Sequence, residues 1–138
     1  MKPIKTLITI IFISLLSLPS WSATLGDLVE RDGLYYEQFT DVPYTGKVTG
    51  SEQGSFKSGK KEGAWFYYWA NGQLSWKGNF KSGKKDGASV FYWDDGQLVA
   101  KGNWKNGERD GYWFDYNEDG TLHKEWSGTF KDGEKISD

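Results

Sequence analysis

From Ala64 to Trp69 and again from Leu74 to Lys81 the chain runs through aromatic and β-prone residues, in stretches too short for an independent helix. Both are predicted to be strands. Asn71-Gly72 stands between them, and Asp95-Gly96 and Asp119-Gly120 stand at the matching places further on. Such pairs signal a two-residue hairpin turn, which needs φ > 0. A longer connection, Lys57 to Gly63, leads from one hairpin to the next. The pattern recurs, since Gly63, Gly87 and Gly111 are 24 residues apart, as are Gly72, Gly96 and Gly120, and Gly54, Gly78 and Gly102. A fixed period of this length marks one supersecondary unit copied along an axis. The predicted fold is all-β, an elongated single-layer antiparallel meander of stacked hairpins.

Two segments differ from that array. In residues 1–22, Lys2 and Lys5 precede an apolar run from Leu7 to Leu18, and Ser20 and Ser22 have the spacing of a cleavage site. This is the pattern of a secretory signal peptide and predicts an exported protein, periplasmic or secreted after cleavage near Ser22. Residues 23–50 are expected to cap the array with a hairpin. Its strands would be Leu34-Tyr35-Tyr36 and Tyr44 to Val48, on either side of a bend at Asp41-Val42-Pro43, after a helical or irregular lead-in at Asp27 to Glu30. Residues 51–138 then form about three copies and a terminal strand. The third copy carries two extra residues between Leu122 and Gly128, an even number that lets its last strand lengthen without turning side chains over.

Strict alternation divides each copy into two faces. Phe66 and Tyr68, Val90 and Tyr92, and Phe114 and Tyr116 are apolar in all copies and are taken as the packed face. The other face drifts from Trp65, Tyr67 and Trp69 through Ser89, Phe91 and Trp93 to Trp113, Asp115 and Asn117, and is taken as open to solvent or a partner. Glycines 54, 78, 102 and 128 are expected to let a ring from the adjacent strand lie flat on the backbone; the alternative to an open role for Trp65 and Trp113 is that they simply cover Gly78 and Gly102.

Composition sharpens this. With 8 Trp, 8 Tyr and 8 Phe, the chain has more flat apolar surface than an average domain, to be buried by stacking or offered to a partner. Losing Lys2 and Lys5 would leave 15 basic against 19 acidic side chains, a balance that disfavours nucleic acid as a partner. The longer turns hold ten cations against six acids, while the tight turns hold Asp94, Asp95, Glu118 and Asp119 and no cation. One basic and one acidic edge would orient the molecule on an anionic membrane surface. There is no cysteine, hence no disulfide, thiolate metal site or lipid-modified cysteine.

The run Gly54-Ser55-Phe56-Lys57 through Gly63-Ala64-Trp65, Tyr68, Asn71-Gly72 and Leu74 resembles the MORN-repeat family, and most closely its bacterial YwqK-type subgroup, which is labelled as antitoxins of toxin–antitoxin systems. The resemblance covers roughly Gly46 to Gly133. It implies a single-layer sheet of hairpins and a scaffold role in protein contact, with lipid membranes as partners of eukaryotic members.

Candidate chemistry is sparse. His123 is the only histidine, and Asp94-Asp95 sits on a turn with nothing apolar to raise a carboxyl pKa. Asp115 to Gly120 fits the start of a calcium loop, D-x-N-x-D-G, but Trp126 stands where the closing acid belongs. No catalytic residue, metal or cofactor is therefore expected. The preferred reading is a non-catalytic exported scaffold. It would bind a protein or cell-envelope partner through Tyr67, Trp69, Phe91 and Trp93 on the aromatic face, and through Lys60, Lys61, Lys84, Lys85 and Arg109 on the basic edge. A second reading is a carbohydrate or cell-wall module stacking on Trp and Tyr rows, since Gly-x-Trp-x-Tyr-Tyr resembles choline-binding wall repeats. A third is an antitoxin-like protein that neutralises a toxin.

Overall fold

The computed structural model describes residues 22–138. The segment read as an export signal lies, except for Ser22, outside them. The fold is all-β, with strands β1 (Ala23–Thr24), β2 (Leu28–Arg31), β3 (Leu34–Glu37), β4 (Gly46–Thr49), β5 (Glu52–Lys57), β6 (Lys60–Tyr68) and β7 (Leu74–Lys81). They continue as β8 (Lys84–Lys85), β9 (Gly87–Tyr92), β10 (Leu98–Lys105), β11 (Glu108–Asp115), β12 (Gly128–Lys131) and β13 (Glu134–Ser137). A 3-10 turn at Leu25–Asp27 separates β1 from β2. From β4 onward each strand lies antiparallel beside the next in one large sheet, with β1 parallel to β4 and β8 paired to β7. Sequential hairpins are what the 24-residue punctuation predicts.

The two kinds of turn are reversed from expectation. Ser58-Gly59, Ser82-Gly83, Asn106-Gly107 and Asp132-Gly133 all have positive φ at both residues, the conformation of a two-residue primed turn. In the supposed tight turn only Gly72 is left-handed. The Gly72 N–H bonds to the Trp69 carbonyl at 2.8 Å, and the Trp69 N–H to the Gln73 carbonyl at 2.8 Å, so this loop is the wider one. The reason is that Lys60-Lys61-Glu62 continues the strand through the kink at Gly63 instead of forming loop.

The primed turns also hold the copies together. The Gly83 N–H donates to the Lys61 carbonyl, Gly107 to Lys85 and Gly133 to Arg109, at 2.9, 2.8 and 3.2 Å. Glu62 accepts from the Ser82 N–H at 2.7 Å and Asp86 from the Asn106 N–H at 3.4 Å. Part of the acidic charge on this edge therefore joins one turn to the next.

The expected faces are also exchanged. Trp65 and Trp113 are 0% exposed, whereas Phe66 and Phe114 are 38% and 37% exposed. Across the inner face the register aligns Glu52, Tyr67, Trp76, Phe91, Ala100 and Asp115. Across the outer face it aligns Gln53, Phe66, Lys77, Val90, Lys101 and Phe114. Alternating apolar side chains with lysines suits a solvated surface, and the Lys101 ammonium lies 4.9 Å from the Phe114 ring centre. Tyr68, Tyr92 and Tyr116 do occupy equivalent places, each opposite the leucine that follows its turn, Leu74, Leu98 and Leu122.

Glycine explains how one sheet buries an indole completely. The Trp65 ring lies on Gly54 and the Trp113 ring on Gly102, where a Cβ would fall inside the ring. Trp113 thus covers the expected glycine, while Trp65 covers Gly54 instead of Gly78. The indole N–H of Trp65 donates to the Ser55 carbonyl at 3.2 Å, and that of Trp113 to the Asn103 carbonyl at 2.9 Å.

At the N-terminal end, β3 pairs with β2 and not with β4, so the strand at Leu34 has the supposed lead-in as its partner. The bend at Pro43 returns the chain only to a single bridge between Tyr36 and Pro43. Leu28, Tyr44, Val48 and Phe56 share a core with Trp65 and Trp76, and Tyr35 packs against it. At the other end the two extra residues do not lengthen a strand. They form a turn in which the Trp126 and Ser127 N–H groups both bond to the His123 carbonyl, and β12 starts only at Gly128.

Candidate functional site

The cations at the start of each copy do not point outward. The Lys61 ammonium lies 4.3 Å from the Trp65 ring centre and 5.0 Å from that of Tyr67, donating to the Tyr67 hydroxyl at 2.7 Å and to Glu52 at 3.3 Å. Twenty-four residues on, Lys85 lies over Trp104, Trp76 and Phe91 at 4.7, 5.0 and 5.3 Å. Arg109, after the same step, stacks on Trp113 at 4.3 Å and pairs with the buried carboxylate of Asp115 at 3.3 Å. Each contact of this kind contributes about 0.5–2 kcal/mol. The aromatic inner face is thus clamped by the protein's own cations. Burial, reinforced by repulsion from Lys61, lowers the Lys85 pKa.

The nine residues anticipated as partner-binding therefore fall into three groups. Tyr67 and Phe91 lie half-buried in the inner row, with Lys61, Lys85 and Arg109 folded onto that face. Lys60 and Lys84 are exposed on the primed-turn edge, their stems beside Gly83 and Gly107. Trp69 and Trp93 are exposed on the opposite edge. The structure does not bring these groups together.

On that opposite edge Trp69 and Trp93 differ. The Trp69 indole N–H donates to the Tyr92 carbonyl of the next copy at 3.1 Å, and Asn71 donates to the Asp94 carbonyl at 2.7 Å. Among the described residues no equivalent bond holds Trp93. Instead Trp93 lines an open cleft of about 560 Å³ together with Tyr116, Asn117, Glu118, Asp119, His123 and Trp126. A smaller hollow of about 340 Å³, formed by Trp93, Asp94, Asp95 and Glu118, adjoins it.

The cleft follows from the break in the repeat. The inserted turn projects Trp126 outside the strand register, stacked on His123 at 4.2 Å and 15° between planes. It is anchored by Ser127, whose buried hydroxyl accepts from the Asp115 N–H at 2.9 Å. Asp119 is held ionised below the usual carboxylate range by hydrogen bonds from the Thr121 hydroxyl and N–H. The Asn117 amide also donates to Thr121, at 2.9 Å. Asp115, the first residue of the calcium-loop pattern, is committed to Arg109.

Sequence reasoning missed Tyr116, Glu118, His123 and Trp126 as a group. The available signal was the two-residue excess between Leu122 and Gly128, which sets Trp126 four residues after Leu122 where Trp76 follows Leu74 by two.

Residues 61–82 and 85–106 match the MORN repeat variant family. No curated protein matches the chain.

Proposed function

We propose, taking residues 61–106 as a pair of MORN repeats of the variant type, that this chain is a non-catalytic binding scaffold that works after export. Its contact with a protein or envelope partner is made through the edge bearing Trp69, Trp93 and Trp126. One observation carries the reading. The inner rings are covered by Lys61, Lys85 and Arg109, whereas Trp93 is exposed, its indole N–H without a partner among the described residues, and set in a cleft among carboxylates. Aromatic side chains that are exposed and not already covered by the fold are the anchors that interfaces use.

The basic edge is the competing contact surface, since Lys60 and Lys84 remain free to meet anionic lipid. The test is retention of the immobilised full chain on solubilised envelope proteins and on anionic vesicles. Loss of protein retention on Trp93→Ala and Trp126→Ala, but not on Lys60→Glu with Lys84→Glu, is the expected result. The reverse moves the contact to the basic edge.

The carbohydrate reading draws support from the same aromatic walls. It requires retention on insoluble glycan that falls with Trp93→Ala. An antitoxin role, suggested by the YwqK-type resemblance, would set the same edge against a toxin. N-terminal sequencing of the native protein separates these settings. A start near Ala23 fits export, and Met1 retained in the cytosol fits the antitoxin.

A further inference from the structure

We propose that the Trp93 cleft receives a protonated lysine or arginine side chain from a basic segment of the protein partner. This rests on the reading of that edge as the contact surface and names what it recognises.

Three features point to a cation. The first is the lining, because Trp93, Tyr116 and Trp126 supply ring faces, which attract organic cations through their quadrupoles. The second is the charge. Glu118 and Asp119 line the cleft, and Asp94 and Asp95 continue the negative rim into the adjoining hollow. Lys124 and Glu125 on the inserted turn offset each other, so the rim stays anionic. Carboxylates beside low-dielectric ring walls focus their field on whatever enters.

The third is how the polar groups are already used. A sugar is read by amides and carboxylates free to bond its hydroxyls. Here the Asn117 amide and the Asp119 carboxylate are both engaged by Thr121. Asp119 keeps its charge while its hydrogen-bonding capacity is partly spent. His123 is a wall element, stacked on Trp126 with its Nδ1 buried and unpartnered. Glu118 keeps the one carboxylate of this cleft not engaged in such bonds among the described residues, so the cleft offers chiefly negative charge and ring surface, which suits an ammonium or guanidinium better than a hydroxylated ring.

The cleft volume lies within the range of ligand sites, yet the cleft is open and the acidic rim runs beyond it. An extended segment can therefore seat one cationic side chain while neighbouring ones meet Asp94 and Asp95. This favours a peptide over a free amine.

The test uses the full chain with ¹⁵N-labelled indoles, titrated with acetylated and amidated tetralysine, tetraglutamate, and a chitin tetrasaccharide. Tetralysine is expected to move the Trp93 and Trp126 indole resonances saturably and leave Trp69 unmoved, with affinity falling as salt rises. Trp93→Ala and Glu118→Gln should each weaken tetralysine binding about fivefold or more. Glu118 is exposed on a turn, so Glu118→Gln keeps the test valid should Trp93→Ala disturb folding.

Equal shifts with tetraglutamate, shifts with the tetrasaccharide alone, or full affinity in Glu118→Gln would each overturn the inference. A silent tetralysine titration alongside Trp93-dependent partner retention overturns the cationic ligand and leaves the scaffold reading standing. Tetralysine binding alongside Trp93-independent retention overturns the scaffold reading of this edge.

Discussion

The middle copy and the copies on either side of it solve the same packing problem with different residues. In the flanking copies Trp65 and Trp113 cover Gly54 and Gly102 and donate to Ser55 and Asn103. In the middle copy the equivalent residue is Ser89, and the space over Gly78 is filled by the Ser89 hydroxyl and the Trp76 ring from the preceding strand. Where the middle copy has Trp76, its neighbours have Glu52 and Ala100. What the copies share is therefore a ring seated on a glycine, whichever strand supplies it. The exchange leaves the Trp76 indole N–H and the Ser89 hydroxyl buried without partners among the described residues. Electrostatics divide the same way, since Lys61 and Arg109 pair with Glu52 and Asp115 while Lys85 has rings alone.

The most damaging way to disturb this arrangement is to remove a flanking indole. Trp65→Ala or Trp113→Ala should destabilise by about 3–5 kcal/mol in urea unfolding, because the lost ring leaves a cavity over bare backbone. Next comes Gly102→Ala, whose Cβ enters the Trp113 ring and should cost about 1–3 kcal/mol. A double-mutant cycle then asks whether Trp76 replaces the missing indole. Ser89→Trp alone should destabilise by overpacking, and Trp76→Ala should reduce that penalty, with a coupling of about 1–3 kcal/mol. Additive effects would show that the two positions do not share a space.

Smaller effects probe the unpaired lysine. The folded state lowers the Lys85 pKa, so at neutral pH its charge costs stability, and the cost fades as pH rises toward the unfolded value of about 10.4. Lys85→Met should therefore raise the thermal midpoint at pH 7 and lose that advantage above about pH 10. A lowered midpoint at pH 7 would mean that attraction to Trp76, Phe91 and Trp104 outweighs desolvation. The smallest change is Ser89→Ala, expected to be neutral or to stabilise by up to about 1 kcal/mol by removing an unpaired hydroxyl.

The hairpin order was legible because glycine sets chain reversals, and Gly72 with its counterparts marks the gap between strands, while Gly54, Gly78 and Gly102 lie within strands and mark the period. Which face is buried was not, because Trp65-Phe66-Tyr67-Tyr68 is aromatic on both sides and alternation alone cannot rank them. The deciding contacts lie outside the alternation itself: Trp65 on Gly54 of the neighbouring strand, and Lys61 folded along its own strand over Trp65 and Tyr67. The turn types were misassigned for a related reason, since Asn71-Gly72 and Ser58-Gly59 both end in glycine. Only the strand continuing through Lys60-Lys61-Glu62 shows which is tighter. The cleft escaped notice because a two-residue insertion has several outcomes in a sheet, and here His123 to Ser127 curl into a turn.

From the second onward, each primed turn bonds to the strand that leaves the turn before it, as Gly83 does to Lys61 and Gly107 to Lys85. These bonds alone would allow copy number to change by duplication, provided that each glycine keeps a single ring over it. A copy of residues 63–86 spliced in between Asp86 and Gly87 would repeat the backbone bonds made there now, with a serine needed in place of the tryptophan that would meet Trp76 over Gly78. Lengthening the ribbon would leave the Trp93 edge intact, with its distance from the N-terminal module set by the number of copies between them.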